Sequence, residues 1–426
     1  MCEPEFIQRN RLDDRAFTRS RKLSFPILIR FLLNHRKGSL QTELDHFFGD
    51  LNGNDTPLRH VTKSACSQAR KHLSYTAFTA LNQAFVNTLY ASRSRALKTW
   101  KGFRLCAIDG SQLRLPKESA LQAYFGCHSG VANQATQTMG LCSVYYDVLN
   151  DIALDACLEP TTASERDCLA YHLEVAAERD LLLIDRGYNA FWVMNTLCQR
   201  QQAFCLRART GRDSAAKQFV ESGASEAMVT YAPSPSSRAH CEQFDLPTEP
   251  ITLRLIRVDL PNEVEVLITN LDNSKRYPAS LFKRLYHLRW GVETYFRRAK
   301  YQQEVEAISG KSVEVVLQDF HATVLASNLT AALALAGRKK LREDKGDTGS
   351  NEKGDYLINF AQAFAKVKQY GVALWSMTGK ALDQYLKELV QLLALSYEPV
   401  RPGRSAPRHL TKFNKRLHHM AYKCTL

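Results

Sequence analysis

Two short segments, Leu105-Cys106-Ala107-Ile108-Asp109-Gly110 and Leu182-Leu183-Ile184-Asp185-Arg186-Gly187, share one pattern: an apolar run ends in an aspartate with a glycine close behind. A run apolar on both faces belongs in the middle of a sheet, and the carboxyl ends of such strands are where open α/β sheets bind ligands. If the two strands are neighbours, Asp109 and Asp185 stand side by side. Carboxylates that close repel unless a cation lies between them, and their oxygen donors suit Mg²⁺ or Mn²⁺. A third element is the stretch 279–303, expected to form one long helix behind Pro278. At ~100° per residue, Tyr286, Arg289, Glu293 and Lys300 share an arc of roughly 60°, beside an apolar stripe of Leu281, Leu285, Leu288, Val292, Tyr295 and Ala299. A carboxylate flanked by two cations and a phenol suits a metal held while its neighbours grip phosphate oxygens. Trp290 could stack on a displaced base, although packing is the plainer role for it. Taken singly, each aspartate could be a turn cap, and Arg289 and Glu293 a surface i,i+4 ion pair; Lys300 does not fit simple pairing.

The elements that must position these groups are legible from periodicity. Residues 1–100 read as an all-helical, basic domain, with Ser24, Ser39, Thr62 and Ser74 as helix-capping candidates. From Gly102 three short apolar runs (FRLCAID, LCSVYYDVL, DIALDACL) predict a strand meander. A helix from Ser164 or Glu165 to Glu178, the strand LLLID, a helix over 190–201 and the strand AFCLRAR follow, giving a mixed α/β (α+β) layer order. Residues 210–277 read as a β-rich insertion. A second long helix is expected over Val313–Ala336, so that the catalytic domain would span 101–337. Residues 338–355 are nearly all charged or polar and predict a flexible linker. A helical C-terminal region, 356–426, then ends in a basic tail.

The chain has 426 residues, 45% hydrophobic and 23% charged, the composition of a folded globular protein with room for a large core. Lys and Arg number 57 against 43 Asp and Glu, a net charge of +14 that favours polyanionic partners. Part of that excess is local: Arg401, Arg404, Arg408, Lys412, Lys415, Arg416 and Lys423 sit in a tail without an acid. The 11 cysteines show no C-x-x-C pair, and neither Cys127-His128 nor His418-His419 has partners at zinc spacing. The charged N-terminus and the interrupted apolar stretch Val324–Gly337 predict no export signal, no membrane span and a cytoplasmic setting.

The spacing Tyr-x2-Arg-x3-Glu-x6-Lys, met by Tyr286, Arg289, Glu293 and Lys300, resembles the YREK signature of bacterial insertion-sequence DDE transposases of the IS-four group. The aspartates in AIDGSQLRLP and LLLIDRGY resemble that group's first and second catalytic carboxylates, and the longer gap from Asp185 to Glu293, with its β-rich insertion, resembles the group's layout. The leading segments FTRSRKLSFPILIRFLLNHRKGSLQTELDHFF and VTKSACSQARKHLS are also similar to that group's leading domain, which implies that residues 1–100 are a helical DNA-end-binding domain. The resemblance implies an RNase H-like core in which Asp109, Asp185 and Glu293 are catalytic and bind two Mg²⁺ or Mn²⁺ ions. It further implies that Tyr286, Arg289 and Lys300, with Trp290, contact DNA. The partners implied are double-stranded DNA, as element ends and as target, and a second copy of the chain on that DNA, with no membrane and no small-molecule substrate, in a bacterial nucleoid-associated setting. The rival expectations are a structure-selective RNase H-like nuclease and a non-catalytic DNA-binding descendant of a transposase.

Overall fold

The computed structural model describes residues 1–399 except 20, 35–37, 55, 93–95, 129–136, 212–213, 262, 346–355 and 375–376. The basic tail, His418-His419 and most of the expected linker therefore lie outside the described residues.

The organising element is a large mixed sheet. Its strands are β1 (Arg104–Arg114), β2 (Cys127–His128), β3 (Gln137–Asp147), β4 (Ile152–Pro160), β5 (Asp180–Ile184), β6 (Ala203–Arg207), β7 (Glu226–Tyr231), β8 (Ile251–Asp259) and β9 (Val264–Thr269). β1, β3 and β4 form the expected antiparallel meander, with β3 central and the short β2 also paired to it. The chain then crosses over through the helix Glu165–Leu173 and returns as β5, parallel to β1, and again through Phe191–Gln199 to β6, parallel to β5. The spatial order β4-β3-β1-β5-β6 is that of an RNase H-like core, and the parallel pairs require helical crossovers because a hairpin cannot reverse direction twice. The five residues of β5 are all buried, which is why the sequence there is apolar on both faces.

Residues 210–277 supply β7, β8 and β9 together with the helices Ala215–Glu221 and Pro235–Gln243. They do not fold apart from the sheet: β9 pairs with β6 and carries β8 and β7 outward as its continuation.

Four departures from the sequence reading concern helices, the smallest being that the helix expected to reach Glu178 ends at Leu173. The stretch expected as one helix over 279–303 is a 3-10 turn (Ala279–Leu281), a helix Phe282–His287 and a second helix Trp290–Tyr301. Between them, Leu288, Arg289, Gly291 and Val292 donate to carbonyls three residues back, so the winding tightens for one turn. The following helix does not stop at Ala336 but runs Val313–Lys345. Residues 338–345 are therefore helical and not linker, because their charges find partners: Arg338 with Asp151 at 2.7 Å, Lys340 with Asp344 at 2.6 Å, and buried Leu341 beneath them. Past the gap, Tyr356–Ile358 is not helical. It is β10, paired with β11 (Tyr397–Pro399), and the helices Phe360–Leu374 and Gly379–Ala394 lie between the two.

The helix Val313–Lys345 is long and apolar enough to cross a bilayer, but most of its apolar window is packed inside the protein. Val316, Leu317, Phe320 and Val324 pack on the β1/β5 face that carries the site, Ala326 and Ala331 join the core of the opposite face, and Ala322 and Leu325 enter the core of the N-terminal helices. Those helices (Phe25–Leu33, Leu40–Leu51, Lys63–Arg70 and Thr76–Ala91) are capped at Ser39 and Thr62 as expected. They bury Phe25, Leu28, Phe31, Phe47 and Phe78 in that shared core. Each such side chain contributes about 1.5–3 kcal/mol. Buried Arg70 donates to Gln318, Ser309, the Val315 carbonyl and Asp319, and Asn328 bridges Asn82 to the Ala153 carbonyl of β4, so polar ties also fix the helical layer to the sheet.

Candidate active site

β1 and β5 are neighbours, paired in parallel with Ile108 opposite Ile184, so Asp109 and Asp185 stand next to each other; Asp185 is at its strand's end as expected, but Asp109 is in mid-strand, because β1 runs on to Arg114 along β3. Because side chains alternate along a strand, both aspartates share the face of Ala107 and Leu183, where Val292, Tyr295 and Phe296 of the helix Trp290–Tyr301 are buried.

The tightened turn at Leu288–Val292 delivers the signature residues onto this pair. The Tyr286 hydroxyl donates to the Ile184 carbonyl (3.3 Å) and to Asp185 Oδ1 (3.4 Å). Arg289 donates through Nη1 to Asp109 Oδ2 (3.4 Å) and through Nη2 to Glu293 Oε1 (2.9 Å). Lys300 Nζ donates to Ser111 Oγ (2.8 Å) and to the Gln112 carbonyl (2.7 Å), on β1 just beyond Asp109. The i,i+4 pair of Arg289 and Glu293 exists, yet it is no surface pair: Arg289 is 5% exposed, and its buried Nε has no hydrogen-bond partner among the described residues.

The guanidinium also lies 5.9 Å from the Tyr286 ring and 5.3 Å from the Trp290 ring. Trp290 is 39% exposed and stands outside the core. Together with Lys283, Arg284 and His287, and with Arg207 paired to Glu263 and Glu265, it borders a cleft of about 620 Å³ between β8–β9 and the signature helices.

Charge balance in the site leans negative. Burial pushes the Asp109 carboxyl up to about 6, and Glu165 and Asp185 push the same way, although Arg289 and the Gly110 N–H pull against them. Burial works against the charge of Arg289 but is outweighed by Tyr286, Asp185, Glu293 and Asp109, and the net direction is upward. Tyr286 is also raised, mainly by burial, which keeps its hydroxyl a donor. Among the described residues no three of His, Cys, Asp or Glu stand close enough to hold a metal ion, and Arg289 bridges Asp109 and Glu293. The donors nonetheless fit a hard divalent cation: they are carboxylate oxygens, and buried Asp109 is short of positive charge.

One group at the site escaped the sequence reading. Glu165, expected only as a helix start, begins the helix Glu165–Leu173, which Ser164 and Asp167 close with a capping box. A Cβ on Gly110 would stand 2.6 Å from Glu165 Oε1, and one on Gly187 3.7 Å from Oε2. The glycine behind each aspartate was the available signal, since both open onto this one carboxylate.

A family model described as "Transposase DDE domain" matches residues 100–329, more than half of the chain. The chain is 23% identical over 415 residues to the transposase InsG for insertion sequence element IS4 of Escherichia coli (strain K12), covering 95% of this chain and 89% of that protein. It is also similar to a solved piggyBac transposase, in a synaptic complex with hairpin DNA, at a TM-score of 0.41 and 10% identity, covering 89% of this chain and 76% of that one. This chain belongs to the transposase DDE domain family.

Proposed function

We propose that the chain is a DNA transposase that binds the ends of its own insertion sequence, cleaves them by divalent-metal-dependent phosphoryl transfer and joins them to target DNA. The observation that carries this reading is a convergence at one strand pair: β1 and β5 pair up to Ile108 and Ile184, one residue before Asp109 and Asp185, while Tyr286 donates to Asp185, Arg289 links Asp109 to Glu293, and Lys300 holds β1 just beyond Asp109.

Asp109, Asp185 and Glu293 would hold the cations. When bound, two Mg²⁺ or Mn²⁺ ions stabilise the attacking and leaving oxygens of an in-line displacement. The chain's own groups do the rest. Arg289, already desolvated, and Lys300 at the edge of β1 offer donors to phosphate oxygens beside the scissile bond. Tyr286 orients Asp185 through its hydroxyl. Trp290, half out of the core at the mouth of a basic cleft, offers a stacking face to a nucleotide drawn from the duplex. The same constellation serves twice, first with water and then with a freed 3′-hydroxyl as nucleophile, so cleavage and joining need no second site. Two copies acting together, one per element end, complete the reaction.

The test uses the purified protein with DNA carrying the native flanks of its gene, in Mg²⁺ at moderate salt. Discrete nicks at inverted flanking sequences with joined products are expected from wild type. Asp109→Ala, Asp185→Ala and Glu293→Ala should each abolish both while retaining end binding. Cleavage retained in any one of them removes that residue from the triad. Nicking without joining favours a nuclease.

A further inference from the structure

Glu165 reaches the centre from the opposite side of the sheet. Gly110 points away from Asp109 because strand neighbours alternate, and the space its missing Cβ leaves is taken by the Glu165 carboxylate. β5 ends at Ile184 while β1 continues to Arg114, so beyond Asp109 the β5 side of β1 is unpaired and the sheet is open there. Asp109 and Asp185 stand on one side of this opening and Glu165 on the other, with Gly110 and Gly187 as its edges.

Two independent features mark the opening as more than a meeting of acids. Tyr188 is fully buried, its hydroxyl has no hydrogen-bond partner among the described residues, and the charges it feels most are those of Glu165 and Asp109. A buried donor left unsatisfied is costly and marks a place made for a further group. The second feature is the rigidity of the helix that presents Glu165. Arg166 donates twice to the Gly187 carbonyl, while buried His172 joins Asp155 (2.7 Å) to Ser143 (3.0 Å), the β3 residue opposite Gly110. Amid these ties, Glu165 itself has no hydrogen bond or ion pair among the described residues.

We propose that Glu165 is a fourth carboxylate of the catalytic centre, holding a divalent cation jointly with Asp109 through the opening between β1 and the end of β5, with the Tyr188 hydroxyl as a donor that orients it. This rests on the reading of Asp109, Asp185 and Glu293 as the metal-binding triad. Gly110 is then required, because a Cβ there would stand within 3 Å of the Glu165 carboxylate, whereas Gly187 only lies alongside it at contact distance.

The experiment is a Mn²⁺ titration of the full chain, free Mn²⁺ being counted by electron paramagnetic resonance, on wild type and on Glu165→Gln, Glu165→Asp, Gly110→Ala, Asp109→Asn and Glu293→Gln. Glu165→Gln keeps the size of the side chain and removes only its charge, so the metal-free melting curve checks folding. The expected result is an affinity for one Mn²⁺ weakened roughly 10- to 100-fold in Glu165→Gln, partly recovered in Glu165→Asp, and weakened again in Gly110→Ala. Wild-type binding by Glu165→Gln, with loss in Asp109→Asn, overturns this proposal and leaves the triad standing. A wild type that binds no Mn²⁺, or Asp109→Asn and Glu293→Gln that both bind like it, overturns the triad and this proposal with it.

Discussion

Removing the charge at Asp109 should make the metal-free protein more stable at neutral pH. Burial raises this carboxyl from its ordinary 3.8 to about 6, and that figure is already net of the attraction to Arg289. The folded chain thus holds the proton more tightly than the unfolded one. The contribution to stability is full below pH 3.8 and is lost as pH rises through 6. At ~1.4 kcal/mol per pH unit, the ionised side chain costs about 3 kcal/mol at pH 8. Unfolding entropy of ~2.1 cal/mol/K per residue makes that roughly 3 °C for a chain of this length. Asp109→Asn, heated in a chelator at a fixed rate, should therefore melt about 3 °C above wild type at pH 8 and level with it at pH 4. Mg²⁺ should narrow the pH 8 gap by raising wild type alone. An Asn variant that melts no higher at pH 8, or one whose advantage is unchanged at pH 4, refutes the reasoning.

Other perturbations test the supports of the site. Arg70→Met strands Asp319, 8% exposed, without its cation and should lower stability in urea by about 3–5 kcal/mol; a smaller loss would mean that the helical layer is tied on mainly by apolar contacts. Lys300→Met keeps the apolar stem but not the ammonium: end binding should lose about one unit of its log–log salt slope, and cleavage should fall with an unchanged melting curve. In Gly291→Ala the new Cβ meets Val148 Cβ at 3.0 Å and must push the helix that bears Glu293, two residues on. Cleavage should drop by roughly tenfold or more while end binding holds, and undiminished cleavage would show that the contact gives way at Val148 instead.

What was legible in the sequence follows the range of the forces involved. The meander and the strands leading to Asp109 and Asp185 are set by periodicities within a few residues and are found in the expected order, although β1 runs past Asp109 to Arg114 and the helix carrying Tyr286, Arg289, Glu293 and Lys300 is broken in two. The tightened turn at Leu288–Val292 was not legible, because the apolar periodicity runs on through it; Gly291 was the one local hint, and what seats it is Val148, a contact from a distant strand end. Residues 338–345 read as linker because a local count of charges cannot see Asp151, which accepts from Arg298 and Arg338 at once. Glu165 was hidden for the same reason. Its significance lies in two glycines far from it along the chain, and neither announces which carboxylate it admits.

The helix Val313–Lys345 gives the molecule one backbone shared by parts that would otherwise be separable. Leu325 lies in the N-terminal core, Val324 in the core beneath the site, and Arg70 clasps Asp319 of the same helix, so among the described residues the leading helices are packed directly onto the element that underlies Asp109 and Glu293. A protein built in this way measures length. On the proposed function, the interval between the base pairs gripped by the N-terminal layer and the phosphate that is cut is a fixed dimension of the fold, and an element end lengthened by even a few base pairs would present the wrong bond.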